Sequence, residues 1–188
     1  MKYPAGIKNS IKKEINYSNR GMSLENELNS ANEYYRLTET AVIYKKPTPI
    51  KIVKVDYPSR DKAVIKEAYF TIPSTTDYNG IYKGKYIDFE AKETKSKSSF
   101  SLNNIHKHQI IHLQNITKHN GIAFLIVRFT TLDETYLLTE NKLSTYLKES
   151  TKKSIPLSYF KENGYLIKNS LKPTIDYLKI VDKILGGD

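Results

Sequence analysis

Residues 74–94 read STTDYNGIYKGKYIDFEAKET, and the second half of this stretch decides the fold. Between Ile87 and Lys92, apolar and charged residues alternate one by one. A period of two is typical of a β-strand, and it places Asp88, Glu90 and Lys92 together on one face. Such a charged face is either solvated surface or one wall of a metal-dependent nuclease site.

A hairpin would bring a second carboxylate to this face. If Lys83–Gly84 is the two-residue turn, antiparallel pairing places Asp77 opposite Glu90. Thr75 then lies opposite Lys92, provided that the strand extends so far back. Directly opposed side chains have Cβ atoms ~5 Å apart, and two carboxylates at that distance repel unless they share a proton or a cation. The pairing therefore predicts a site of oxygen ligands for Mg²⁺.

The turn has a rival at Asn79–Gly80, because Asn-Gly is itself a strong hairpin signal. That turn would place Asp77 opposite Tyr82 and would separate the two carboxylates. We prefer Lys83–Gly84 because it leaves two strands of useful length.

A second Glu-x-Lys pair, Glu93 and Lys95, follows directly. Both residues have the parity of the apolar positions, so a continuing strand would point two charges at the core, which is costly. We therefore expect Glu93 and Lys95 to lie beyond the end of the strand, and we assign the chemistry to Glu90 and Lys92.

The composition favours a folded, basic protein that binds nucleic acid. The chain has 188 residues, 39% of them hydrophobic, and a formal net charge of +10, which suits one domain with a core. Arginine is rare among its 30 basic residues, so we expect recognition of phosphates and of DNA shape rather than dense base reading. With no cysteine and no long apolar run, disulfides, secretion and membrane spanning are unsupported, and a cytoplasmic location is expected.

The remaining patterns predict a mixed α/β sheet with helices on its faces. Helical spacing and cap residues predict the helices, and short apolar runs predict the strands. In chain order we expect a helix from Ser23, strands Thr40–Tyr44, Asp77–Tyr82 and Lys85–Lys92, a helix Ser101–His119, strands Ile122–Phe129 and Thr135–Thr139, and helices Asn141–Lys148 and Pro173–Leu185.

Two segments stand apart from this core. Residues 1–17 are predicted to be a flexible basic arm, and residues 18–188 a single domain that contains a protruding insertion at 45–76. The insertion holds four prolines and alternates apolar with basic residues at Ile50–Val55, which does not fit a central strand. The candidates for phosphate contacts in the insertion are Lys45, Lys46, Lys51, Lys54, Lys62 and Lys66.

Gln109 falls at the centre of the apolar stripe of the predicted helix Ser101–His119. A buried glutamine needs hydrogen-bond partners, so it is either satisfied within the core or reaches the shell of a metal ion. His108 and His112 lie one turn apart on this helix. A zinc-protease helix would need glutamate at position 109, so a zinc site of that kind is rejected.

Four segments together resemble the RecU-type Holliday junction resolvases. They are SNRGMSLENELN (18–29), KKPTP (45–49), the stretch 74–94 and HKHQ (106–109), and the resemblance covers nearly the whole chain. It implies a restriction-endonuclease-like fold with a nuclease core. It also implies a homodimer that acts on four-way DNA junctions, with residues 45–76 as a stalk that enters the junction.

The resemblance also implies the roles of the site residues. Asp77 and Glu90 become carboxylate ligands of Mg²⁺, or of Mn²⁺ in its place. Thr75 and Gln109 become further ligands of the metal shell, and Lys92 becomes the catalytic lysine.

The expected protein is thus an endodeoxyribonuclease of recombination and repair that leaves 5′-phosphate ends, with recombinase or branch-migration proteins as further partners. Asp88 has no role in the family pattern, and Arg20 is a candidate DNA contact for which a structural role in its loop fits nearly as well. The alternative is a DNA-binding module that modulates recombination without essential cleavage. A restriction-like enzyme that reads linear duplex is disfavoured by the scarcity of arginine.

Overall fold

The described residues form five α-helices and ten β-strands. A computed structural model describes residues 23–59, 61–71 and 75–186, so the predicted arm 1–17 and Arg20 lie outside the described residues. The helices are α1 (Leu24–Leu37), α2 (Lys107–Lys118), α3 (Glu140–Glu149), α4 (Leu157–Asn163) and α5 (Leu178–Gly186). The strands are β1 (Val42–Lys45), β2 (Ile50–Asp56), β3 (Val64–Phe70), β4 (Tyr78–Tyr82), β5 (Lys85–Thr94), β6 (Ser99–Ser101), β7 (Ile122–Phe129), β8 (Glu134–Thr139), β9 (Ser154–Pro156) and β10 (Tyr165–Leu166).

One mixed sheet of six strands carries the fold, in the order β1-β4-β5-β7-β8-β10. Strands β5 and β7 are parallel, and the other neighbours are antiparallel. A parallel pair needs a crossover connection, and α2 supplies it. The predicted mixed α/β sheet flanked by helices is therefore confirmed. Within the described residues, no helix is both long and apolar enough to cross a membrane.

The hairpin of β4 and β5 has the predicted register. Tyr82 pairs with Lys85, and Tyr78 pairs with Phe89. Lys83 and Gly84 have φ angles of 48° and 72°, and positive φ at both central residues is typical of a type I′ turn. The preferred turn Lys83–Gly84 is thus confirmed.

Gly80 serves close packing rather than a turn, so the rival turn Asn79–Gly80 is wrong. The residue lies inside β4 and pairs with Ile43 of the edge strand β1. A Cβ atom at Gly80 would lie 2.0 Å from the carbonyl oxygen of Val42. The Asn-Gly signal therefore marks a close approach of two backbones, which is a second reason for glycine within a strand.

Helices cover both faces of the sheet, and each face has its own core. On one face, α1 and α5 pack on a core in which Phe89 stacks between Tyr78 and Phe124, with ring centroids 4.8 Å away on either side. On the other face, α2, α3 and α4 cover a core that includes Leu125 and Phe160. Because β5 lies inside this three-layer arrangement, even Asp88 and Glu90 on its charged face are buried.

Strands β2 and β3 form a separate two-stranded sheet, here named the β2–β3 arm. Every residue of both strands is exposed, including large apolar residues such as Ile52 and Phe70. Both strands pair only with each other among the described strands. The insertion at 45–76 therefore contains a hairpin that is held to the sheet through its two ends.

Two predicted helices begin later than expected. The stretch from Ser101 first completes β6, which pairs with β9, and then forms a 3₁₀ turn, so α2 begins only at Lys107. The segment after Pro173 forms an isolated bridge between Asn169 and Ile175, and α5 begins at Leu178. In the first case pairing with a distant segment overrides the local helical signal, and in the second a short-range bridge does so.

Candidate active site

The two predicted carboxylates meet at the start of β4. The backbone N–H of Asp77 donates to Glu90 Oε2 at 3.1 Å. In return, the backbone N–H of Ala91 points at Asp77 Oδ2 at 3.4 Å. Each carboxylate is thus held by the backbone beside the other, and the predicted juxtaposition of Asp77 and Glu90 is present.

Glu90 lies in an environment that disfavours its charge. Its residue surface is 0% exposed, and burial raises the pKa of its carboxyl, with a further contribution from the charge of Asp77. The ammonium group of Lys92 acts in the opposite direction, and the resulting pKa of Glu90 is about 7. A second positive charge beside the two carboxylates would relieve this electrostatic cost.

Lys92 stands next to Glu90 on the same face of β5. Its Nζ forms an ion pair with Glu90 Oε1, and its side chain keeps 26% of its surface exposed. The lysine therefore reaches from the buried carboxylate to solvent.

An open cleft of about 350 Å³ leads to this group. One wall comes from β4 and β5, through Asp77 and Lys92, and the other comes from the start of α1, through Ser23 and Glu25. No sequence pattern indicated Glu25 as a residue of this cleft. Its position in the first turn of an amphipathic helix is typical of a residue that complements the positive end of the helix.

Glu93 lies inside β5 rather than beyond it, so the prediction that the strand ends before Glu93 is wrong. Its carboxylate accepts the backbone N–H of Leu24 at 2.8 Å. The first N–H groups of a helix lack partners within the helix and favour a negative charge. The N-terminus of α1 therefore stabilises the Glu93 carboxylate, which would otherwise face an apolar layer. Lys95 follows the end of β5, as predicted.

The two proposed neutral ligands, Thr75 and Gln109, lie on different segments of the chain. Thr75 is half-buried two residues before Asp77, but β4 begins only at Tyr78, so the strand does not extend back to place Thr75 opposite Lys92. Gln109 is buried in the first turn of α2, which packs against β5 and β7. Its side-chain oxygen accepts the backbone N–H of His106 at 2.9 Å. Gln109 thus has a capping role that the helical wheel did not predict.

The donor set fits a hard divalent cation. Asp77 and Glu90 offer carboxylate oxygens, whereas no group of three or more His, Cys, Asp or Glu side chains among the described residues could hold a metal ion. Mg²⁺ is usually bound by one or two carboxylates together with water and substrate phosphate oxygens. Two adjacent carboxylates beside an open cleft meet that requirement.

Asp88 is fully buried on the same face and is bound by protein donors. Its carboxylate accepts hydrogen bonds from Lys46 Nζ at 2.8 Å, from Tyr86 Oη at 3.0 Å and from the Thr76 hydroxyl. His112 Nε2 lies 3.2 Å away. Strand parity placed Asp88 on this face correctly, but no sequence signal indicated its partners, because all but Tyr86 come from other segments of the chain.

The lysines of the insertion divide into two groups. Lys51, Lys54, Lys62 and Lys66 are exposed on the β2–β3 arm. By contrast, Lys45 pairs with Glu25 at 2.6 Å, and Lys46 points inward to Asp88. The structure therefore leaves the arm lysines accessible, whereas Lys46, predicted to contact phosphate, forms an internal ion pair.

Comparison with known proteins finds relatives that match nearly the whole chain. The family model described as Recombination protein U matches residues 19–183. A Holliday junction resolvase RecU from Geobacillus sp. (strain WCH70) is 53% identical over 195 residues, which cover 98% of this chain and 97% of the relative. A Holliday junction resolvase RecU from Staphylococcus aureus (strain JH9) is 53% identical over 183 residues, which cover 96% of this chain and 88% of the relative.

Among solved structures, Archaeoglobus fulgidus Hjc, described as a Holliday junction resolvase from an archaeal hyperthermophile, is 14% identical. The superposition covers 72% of this chain and 93% of that chain, with a TM-score of 0.41.

Proposed function

The chain belongs to the RecU family, and on that basis we propose that it is a Holliday junction resolvase, an endonuclease that cuts four-way DNA junctions. The observation that carries the proposal is the mutual contact of Asp77 and Glu90, with Lys92 beside them in an open cleft. Two carboxylates with a lysine beside them can supply a metal site and a positive charge for metal-dependent phosphodiester hydrolysis.

In this proposal, Asp77 and Glu90 hold Mg²⁺, with Thr75 and Gln109 near its outer shell. When bound, Mg²⁺ activates water and stabilises charge on the scissile phosphate. The protein contributes the fixed geometry, because the backbone N–H groups of Asp77 and Ala91 hold the carboxylates in place before the substrate arrives. Such preorganised ligands need not rearrange during the reaction.

Lys92 acts on the substrate side of Glu90. Its Nζ would reach a phosphate oxygen of a bound substrate from this position, since the side chain is partly exposed. There it orients the attacking water or stabilises the negative charge that develops on the phosphate. Attack of water on phosphorus with release of the 3′-oxygen leaves 5′-phosphate and 3′-hydroxyl ends.

The substrate preference follows from the arm and from symmetry. The arm lysines supply phosphate contacts, and the exposed apolar residues of the β2–β3 arm suit the open centre of a junction, where bases are less completely stacked. A homodimer would present two sites related by a twofold axis, which matches the symmetry of a four-way junction. Two cuts in opposed strands would then resolve the junction symmetrically.

The test is cleavage of a four-way junction and of a matched linear duplex, each with Mg²⁺ and with EDTA. We expect Mg²⁺-dependent, paired cuts in the junction and little cleavage of the duplex. Glu90→Gln should bind the junction yet barely cut it. The matched control is Glu93→Gln, which can still accept the N–H of Leu24 and should cut normally. Cleavage of the duplex alone, or of neither substrate, would refute the proposal.

A further inference from the structure

We infer that Asp88 is a positioning residue that holds both ends of the β2–β3 arm against the nuclease core and so sets the direction in which the arm leaves the active site. The inference rests on the proposed function, because it concerns how the arm presents a junction to Asp77 and Glu90. Asp88 is not one of the proposed metal ligands.

The first observation is the number of segments that converge on this one carboxylate. Oδ2 accepts from Lys46 Nζ and Tyr86 Oη and lies 3.2 Å from His112 Nε2, whereas Oδ1 accepts from the Thr76 hydroxyl. Asp88 itself is 0% exposed. A buried carboxylate needs hydrogen-bond donors, and here three of the four donors come from other segments of the chain.

Two of those donors, Lys46 and Thr76, lie at the two ends of the insertion. Lys46 directly follows β1, at the point where the chain leaves the sheet, and Thr76 directly precedes Asp77, where the chain returns. The two ends also bond to each other, through Lys46 Nζ to Thr76 Oγ1 at 3.0 Å and through the N–H of Lys46 to the carbonyl of Asp77 at 2.8 Å. Asp88 therefore closes the base of the arm.

The third observation links this base to the chemistry. Asp88 and Glu90 are two residues apart and lie on the same face of β5. Asp88 holds Thr76 through its hydroxyl, and Glu90 holds Asp77 through its backbone N–H. Thr76 and Asp77, which follow each other in the chain, are thus held by Asp88 and Glu90, two acidic side chains on the same face of β5. The anchor of the arm at Thr76 is therefore adjacent in the chain to the proposed ligand Asp77.

The alternative is that Asp88 only stabilises the core as one member of a buried ion pair. The Lys46 side chain is just 17% exposed, so breaking the pair would cost stability in either case. The two roles predict different effects of an Asp88 substitution on the direction of the arm. Because the arm strands pair only with each other among the described strands, loss of the anchor should release the arm, whereas a purely stabilising role would leave its direction unchanged.

The experiment measures arm direction directly. The chain has no cysteine, so spin labels at Ser59→Cys on the arm and Lys148→Cys on α3 are unique, and dilution with unlabelled chain isolates the distance within one protomer. We expect a single narrow distance distribution in the parent protein and a broader, shifted one in Asp88→Asn. The matched control is Glu27→Gln, which weakens a buried ion pair with Arg128 that involves none of the Asp88 partners and should leave the distribution unchanged.

The second readout is substrate preference under single-turnover conditions. Asp88→Asn should lower the ratio of junction cleavage to duplex cleavage by about tenfold, a coupling of the size usual between linked sites, whereas Glu27→Gln should retain the parent ratio. If Asp88→Asn fails to fold, Thr76→Val and Lys46→Met test the same anchor and should give the same two effects.

An unchanged distance distribution together with an unchanged cleavage ratio in the anchor variants would overturn the inference, as would equal changes in Glu27→Gln. If the parent protein cuts neither substrate, the proposed function fails, and the spin-label distances still decide whether Asp88 anchors the arm.

Discussion

Glu90 is the residue through which pH should control the active site. Burial, together with the charge of Asp77, raises the pKa of its carboxyl to about 7 in the metal-free protein. A carboxyl group must lose its proton to bind a cation. Protons and Mg²⁺ should therefore compete for Glu90 across the neutral pH range, well above the range in which an ordinary glutamate titrates.

The size of the effect follows from that pKa. One pH unit above a pKa of about 7, roughly nine tenths of the Glu90 population is charged, and one unit below it only about one tenth is charged. The Mg²⁺ concentration that gives half-maximal cleavage should consequently rise about tenfold between roughly pH 8 and roughly pH 6.

Stability should respond to pH with a definite sign. A folded-state pKa above the unfolded value of 4.5 means that the native protein binds this proton more tightly than the unfolded chain does. The contribution to stability is therefore complete below about pH 4.5 and is lost as the pH rises through about 7, by about 3 kcal/mol. Glu90→Gln, which cannot titrate, should then be more stable than the parent at about pH 8 in EDTA by a similar amount.

Two measurements check this reasoning. Single-turnover cleavage of a four-way junction over a range of Mg²⁺ concentrations at several pH values gives the half-maximal concentration. Urea unfolding of the parent protein and of Glu90→Gln in EDTA gives the difference in their free energies of unfolding. A half-maximal Mg²⁺ concentration that does not change with pH, or a stability difference that stays constant with pH, would refute the assignment of the raised pKa to Glu90.

Three further predictions concern other parts of the molecule. Gly80→Ala should lower the free energy of unfolding by about 3 kcal/mol, because the new Cβ would lie 2.0 Å from a carbonyl oxygen of β1; urea unfolding measures this, and Gly84→Asn in the open turn is the control that should remain close to the parent. Arg128→Met should cost about 3–5 kcal/mol by leaving the buried Glu27 without its partner, and Glu27→Leu in the same chain should recover most of that loss in a double-mutant cycle; strict additivity would contradict the pairing. Lys92→Ala should reduce single-turnover cleavage by about 10³-fold while junction affinity in gel-shift titration stays near the parent value, and a matched loss of affinity would place Lys92 in binding instead.

The central hairpin could be predicted from the sequence because its signals are local. Alternation of apolar and charged residues at Ile87–Lys92 fixed which side chains share a face, and a two-residue turn then fixed the register of Asp77 against Glu90. The same local reasoning failed at Asn79–Gly80, where glycine is required by the neighbouring strand β1. A sequence does not show which backbone will approach from outside the hairpin.

The features that sequence reasoning missed depend on contacts between distant segments. Glu93 lies within β5 because the backbone N–H of Leu24, at the N-terminus of α1, donates to its carboxylate. Helix α2 begins late because Ser99–Ser101 pairs with Ser154–Pro156. The partners of Asp88 are likewise separated from it by up to 42 residues. Local periodicity contains no information on contacts between distant segments, so the juxtaposition of Asp77 and Glu90 was predictable whereas the groups that surround them were not.

The closed base of the β2–β3 arm also bears on how such a protein can diversify. The chain leaves the sheet at Lys46 and returns at Asp77, and one backbone hydrogen bond of 2.8 Å joins the two residues. A segment whose ends are already held together adds little closure entropy when its length changes. We therefore expect that the length and surface of the arm can be altered while Asp77 and Glu90 keep their register.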